Sequence, residues 1–299
     1  MKIFFSKAIL PIALLLILGL SACSRPSPVE QPPLAPAEVV EVTDNAEQAS
    51  ETQAETEQAN YSDAVKLFDA GDYEQAEALF MLNPEYEDSA LYLKAIALSA
   101  CNVGDTVSFG SYPQDTDDAS PSPVEWIVLN KEDGKLLLLS KDALDCLRFH
   151  SSLYPFWADS EMRQWLNGSF LNAAFTEDEQ RLIQVSALTT PGYLSNLGLY
   201  MGGPDTEDRV FLLSKEDVAE YFPEESDRVC LPSAYAMSAG ARTDENGCCF
   251  WWTRSPGNHH GKISAVRSDG RLNPDGQVSR SDICVRPAIW VDIHNLTLE

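Results

Sequence analysis

Residues 124–141 read VEWIVLNKEDGKLLLLSK, and the fold is decided there. Residues 124–130 are rich in β-branched and aromatic side chains and predict a strand. Residues 135–141 carry four successive leucines and predict a second, buried strand. Between them Glu132-Asp133-Gly134 is a turn signal. Asp-Gly suits the tip of a two-residue hairpin loop, where both residues take positive φ. Working outward, residues 105–110 predict a preceding strand. Downstream, Ser160 caps a helical pattern through Met162, Trp165 and Leu166 that is expected to end near Asn167-Gly168. Thr176-Glu177-Asp178-Glu179 is a capping box, with Glu179 reaching back to the cap. Residues 209–213 predict a short strand, and Ser214 caps a helix over 215–221 that Pro223 ends. Short strands follow at 248–253, 263–267 and 285–292, punctuated by Asp269-Gly270 and Asp275-Gly276. Helices gather in the first half and strands in the second, which argues for an α+β domain over 101–299.

The chain before residue 101 divides into three further zones. In residues 61–100, Tyr61, Ala64, Val65 and Phe68 share one helix face, with Asn60 as the expected N-cap. Gly71 stops that helix. Tyr73, Ala76 and Phe80 form the next face, stopped at Asn83-Pro84. Tyr86, Ala90, Leu93 and Ala97 form a third. The pattern from Tyr61 to Phe80 resembles a tetratricopeptide (TPR) repeat. About one and a half such repeats are present, too few for a free-standing solenoid, so the unit is expected to dock on the following domain or on a partner. Residues 23–60 hold five prolines early, one base and eight acids. With no aromatic side chain within it, this zone predicts a disordered, extended linker.

Residues 1–22 read as an export signal. Lys2 and Lys7 precede an apolar run over 8–20, about 20 Å long as a helix and so short of a bilayer core. Leu20-Ser21-Ala22-Cys23 follows directly and resembles the bacterial lipobox. That resemblance implies cleavage before Cys23 and diacylglycerol on its thiol. The expected partner is then the membrane, through an N-terminal lipid anchor on the extracytoplasmic face. The whole chain carries a formal charge of −25, which argues against nucleic acid as a partner.

Several strings in the domain resemble one uncharacterised bacterial family, a domain of unknown function found on exported proteins. They are VGDTVSFGSYPQ (103–114), EWIVL (125–129), RQWLN (163–167), DTEDRVFLLS (205–214), WWTRSPG (251–257) and VRPAIW (285–290). The W-W-x-R-S … V-R-P-A-x-W ending also resembles C-type-lectin-like folds, including the formylglycine-generating enzymes. The fold this implies is a C-type-lectin-like α+β domain behind a TPR-like α-hairpin.

Candidate site residues divide by their chemistry. Beyond Cys23, the cysteines are Cys101, Cys146, Cys230, Cys248, Cys249 and Cys284. An even count outside the cytosol permits disulfides of any connectivity, and no pair has C-x-x-C spacing. His259-His260 lacks the further ligands a metal needs. Asp205, Glu207 and Asp208 could contact calcium, but the EF-hand pattern is missing. Neither a nucleophile motif nor a phosphate loop is present, so no cofactor, no metal and no catalytic residue is assigned. The strongest group is Trp251, Trp252, Arg254, Asn258 and His259. On a strand the two tryptophans face opposite ways; one is expected in the core and the other accessible, where it could stack on a sugar or peptide. The expected function is a lipid-anchored module binding a glycan or a protein. The alternatives are a scaffold docking into an envelope complex, or an envelope enzyme.

Overall fold

A computed structural model of the chain describes residues 43–116, 120–152, 156–190, 193–194, 200–259 and 261–296. The export signal, Cys23 and residues 24–42 of the expected linker lie outside the described residues. Helix α1 (Thr43–Asp69) begins well before Asn60, which sits inside it. The expected disorder over 23–60 is therefore replaced by helix from Thr43 on. The physical reason is composition: past the prolines, Glu, Gln and Ala are strong helix formers, and this propensity outweighs charge repulsion. Almost every residue from Ser50 to Ala59 is solvent-exposed.

Helices α2 (Tyr73–Phe80) and α3 (Ser89–Ser99) complete the helical unit. Ala64, Ala76 and Ala95 are fully buried, and they let the helices approach. Aromatic rings fill the groove: Phe80 stacks on Tyr92 at 4.7 Å, and Tyr61 meets Phe80 edge-on at 5.9 Å. The face expected on α3 is not the buried one. Ala90 and Ala97 are exposed, while Leu91, Tyr92, Ala95, Ile96 and Leu98 are buried. That broader face serves α1 and α2 on one side and the domain on the other.

The domain opens with β1 (Thr106–Pro113), β2 (Pro121–Glu132) and β3 (Lys135–Ser140). The hairpin forms as its sequence dictates. Glu132 pairs with Lys135, and Asp133 and Gly134 take φ of 46° and 78°, the type I′ geometry. A bulge between Val128 and Asn130 lets Val128 and Leu129 both face inward. Next come β4 (Asp145–Cys146) and α4 (Glu161–Trp165), which does not stop at Gly168. It opens into a π turn over Leu166–Phe170 and continues as α5 (Leu171–Ala174). The Asn167 side chain explains this. It accepts from the backbone N–H of Arg209 and Val210 and donates to Val210 O, pinning the turn to the neighbouring strand.

Helix α6 (Glu177–Leu182) follows, then β5 (Ser186–Leu188), β6 (Tyr193–Leu194), β7 (Tyr200–Met201), β8 (Thr206–Asp208) and β9 (Val210–Phe211). The chain continues through α7 (Lys215–Tyr221) and α8 (Ala234–Ser238). It finishes in β10 (Trp251–Pro256), β11 (Lys262–Val266), β12 (Leu272–Gln277), β13 (Cys284–Val285) and β14 (Ala288–Asp292). One five-stranded sheet, antiparallel throughout, has the order β1-β2-β3-β14-β9; a second, in which β10 and β13 run parallel, is β12-β11-β10-β13-β4; β5 pairs with β8 and β6 with β7. Of the N-caps read from the sequence, Ser160 accepts from Arg163 N–H, and Thr176 and Ser214 form full capping boxes. The stretch 285–292, expected as one strand, is two. Val285 belongs to the second sheet and Ala288 to the first, with Arg286-Pro287 carrying the chain across. Among the described residues no helix is long and apolar enough to cross a membrane.

The helical unit packs on the domain through polar clamps. Arg181 grips Asp88 with two bonds of 2.7 and 2.9 Å, and Lys131 donates to Ser99 O and Cys101 O. Lys94 of α3 pairs with Glu179, which also accepts from Thr176 N–H and Gly110 N–H. Burial alone would raise the Glu179 pKa, but the bonds from Lys94 and Thr176 hold it below the usual carboxylate range. A depressed carboxylate stabilises above its unfolded value of about 4.3, and that contribution is lost as pH falls through the folded value. Glu179→Gln is expected to cost about 1–2 kcal/mol at neutral pH. It should also flatten the acid limb of the stability–pH curve; urea unfolding of both chains from neutral pH downward checks both.

Candidate functional site

Strand β10 lies inside its sheet, between β11 and β13, and all six of its residues are buried. Trp251 and Trp252 do point to opposite faces, yet both are 0% exposed. The Trp251 indole N–H donates to Arg228 O at 3.0 Å, and the Arg286 guanidinium sits 5.1 Å from its ring. On the other face Trp252 donates to Leu147 O at 2.9 Å and meets Phe149 edge-on. The expectation of one accessible ring is therefore corrected: both faces of this sheet are covered, and neither indole offers a stacking platform.

The rest of that group does not assemble either. Arg254 is buried and donates to Leu212 O and to the Asp217 carboxylate at 2.6 Å. It ties β10 to the capping box of α7. Asn258 and His259 are exposed on the loop after β10, and His260 lies outside the described residues. Three of the five are core and two are loop surface, so they form no common site.

Polar groups converge elsewhere. A cavity of about 220 Å³ is lined by Gln114, Pro123, Glu125, Asp142 and Leu144. Strand geometry builds it: Gln114 follows β1, Glu125 lies on β2, and Asp142 follows β3. Glu125 is held by Lys141 at 2.6 Å, and that contact raises the Lys141 pKa. Burial pushes the Asp142 carboxyl up, against the pull of Lys141 and Arg286. Among the described residues the buried Gln114 Nε2 has no hydrogen-bond partner, although its backbone carbonyl accepts from Tyr235 N–H. A buried amide donor without an acceptor costs about 1–3 kcal/mol, so a ligand acceptor placed there would recover that loss. Sequence reasoning passed over this group because its members come from β2 and from beyond the ends of β1 and β3.

A wider, open cleft of about 750 Å³ is lined by Ala158, Asp159, Arg163, Ala187, Asp205, Thr206 and Glu207. Its one cation is already engaged. Arg163 donates to Asp208, Ala158 O and Glu207 O. Asp208, a calcium candidate by sequence, is turned into the core by these bonds and is 1% exposed. Among the described residues no group of three or more metal-ligating side chains could hold an ion.

No curated protein and no solved structure matches the chain. A family match does run over residues 133–293, from the β2–β3 turn to just past β14. It takes in β3 and β14 at the centre of one sheet and all of the other, and leaves β1 and β2 upstream. With more than half of its length matched, the chain belongs to the family of DUF6273, a domain of unknown function.

Proposed function

We propose that this chain is a lipid-anchored extracytoplasmic protein whose α+β domain binds a glycan end group in the Gln114/Glu125/Asp142 cavity. The unpaired Gln114 Nε2 carries this reading. Carboxyl groups that accept and an amide that donates are the set a sugar hydroxyl pair satisfies, since each hydroxyl does both. The cavity, at about 220 Å³, is smaller than common small-molecule sites and suits one terminal residue of a longer chain. The lectin-like cast of the W-W-x-R-S … V-R-P-A-x-W ending supports the same ligand class. The lipobox ending at Cys23 supports the location. A protein-docking scaffold is the second reading, favoured by Met81 and Leu82, which stand 62% and 59% exposed side by side after α2.

The test uses the full chain, with Cys23→Ala, Gln114→Ala and Asp142→Asn variants. Cys23→Ala should leave the membrane fraction. On an array of bacterial envelope glycans, the two cavity variants should bind at least about tenfold more weakly than the parent, with unchanged melting temperatures. Binding by the parent should fade with acid at a higher pH than an ordinary carboxylate would give, because protonated Asp142 loses its charge-assisted bond from a hydroxyl and keeps only a weaker neutral acceptor. No glycan retained by the parent, or retention untouched by both variants, overturns the binding reading.

A further inference from the structure

Four cysteines far apart in sequence meet in the core. Cys146, Cys230, Cys249 and Cys284 are 4%, 3%, 0% and 0% exposed, and all are free thiols. Their contacts run in a line. Cys249 is within hydrogen-bond reach of both Cys230 and Cys284, and Cys284 of both Cys249 and Cys146. The backbone sets these neighbours. Cys284 of β13 lies directly opposite Cys146 of β4 in an antiparallel pair, and Cys249 N–H donates to Cys230 O at 2.8 Å. Facing residues of such a ladder have Cα atoms about 4.5–5.5 Å apart, inside the span a disulfide bridges. The line is not a cage, and no metal-holding group forms among the described residues.

A line of four thiols has one complete pairing, end with neighbour at each side. Joining the middle pair instead strands Cys230 and Cys146. We propose that Cys230–Cys249 and Cys146–Cys284 close as two disulfides when a disulfide oxidant reaches the chain, so that this core exists in a dithiol and a covalently pinned form.

The chemistry is thiol–disulfide exchange. A thiolate of the pair attacks the external disulfide RSSR, forming a protein–S–S–R bond and releasing RS⁻. The second thiol then loses its proton and attacks the protein sulfur, releasing a second RS⁻. The net change is two protein thiols plus RSSR to one protein disulfide plus two RSH. In the folded core, interactions of Cys249 with Cys230 and Cys284, together with the Arg286 charge, favour its thiolate against burial. Burial instead pushes Cys230 up, and its thiol neighbours push Cys284 up. Since all four are covered in the folded chain, closure belongs to folding, as β13 docks beside β4 and sets Cys284 opposite Cys146. Cys101 and Cys248 are only half-buried and stand outside the line. The proposal is independent of the glycan reading, because the oxidant is supplied in the test.

The full chain is unfolded and refolded with reduced and oxidised glutathione. It is then quenched in acid, capped with N-ethylmaleimide and digested without reductant. Mass spectrometry should find a peptide pair joined through Cys230 and Cys249 and another through Cys146 and Cys284, each about 2 Da below the sum of its thiols. The oxidised chain should melt several degrees above the same chain kept in dithiothreitol. In Cys249→Ser the Cys146–Cys284 link should persist while Cys230 is capped. If that variant fails to fold, the parent's peptide map decides alone. Four capped core thiols, a dominant Cys249–Cys284 link, or links to Cys101 or Cys248 would overturn the proposal.

Discussion

Alanine at Trp251 and alanine at Trp252 should each lower folding stability by about 3–5 kcal/mol, the loss typical of emptying a buried indole site. Both rings are 0% exposed, and each indole N–H has a backbone acceptor, Arg228 O for one and Leu147 O for the other. Truncation therefore leaves a cavity and an unpaired carbonyl together. On the Trp251 side it also strips the ring from beneath the Arg286 guanidinium, a contact that gains strength when desolvated. Strand alternation alone divides the pair into one structural and one binding residue. The structure instead predicts matched losses of stability and no selective loss of ligand. Urea unfolding reads the outcome directly. A wild-type midpoint for either variant would mean that its ring is not in the core.

Asp208→Ala should cost a comparable amount, about 3–5 kcal/mol, because it removes the acceptor from a buried network and leaves a charge behind. The Asp208 carboxylate receives Arg163 Nε at 2.6 Å, Trp157 Nε1 at 2.8 Å and Thr206 Oγ1 at 2.7 Å. These donors come from three segments, so this one side chain locks the turn before α4, α4 itself and β8 together. Asp208→Asn keeps shape and one acceptor oxygen and should cost less, about half as much, through lost charge pairing with Arg163. Chemical unfolding of the two variants tests the order. Equal losses would show that shape and not charge carries the site.

The hairpin was legible because its signals are local: Asp133-Gly134 needs nothing beyond its own φ values, and the capping boxes at Thr176 and Ser214 need only residues three apart. What failed depends on distant chain. Alternation correctly placed Trp251 and Trp252 on opposite faces. It could not say that segments around residues 147–149 and around Arg228 would cover both. The 285–292 run kept strand composition throughout, and only Pro287, which cannot donate to a ladder, hinted at a break. The thiol line and the Gln114/Glu125/Asp142 cavity left no trace at all, since no spacing rule joins residues 146, 230, 249 and 284, or 114, 125 and 142. At the N-terminal side the error was one of weighting. Proline content and net charge argue for disorder only where they coincide, and within 23–60 the prolines end at Pro36. The Glu, Gln and Ala beyond that point favour helix.

The crossing at Arg286-Pro287 sets the order in which this chain can become a protein. β14 fills the slot between β3 and β9, while β13, two residues earlier, fills the slot between β10 and β4. Arg286 fastens the switch by donating to Ser140 O and Lys141 O at the end of β3. Neither sheet can close until residues 284–292 are present, so the earlier strands wait with open edges. Contacts so distant in sequence make folding slow. A ribosome delivers residues 284–292 after every other strand of both sheets, so each sheet is completed only by the last of its own strands to emerge.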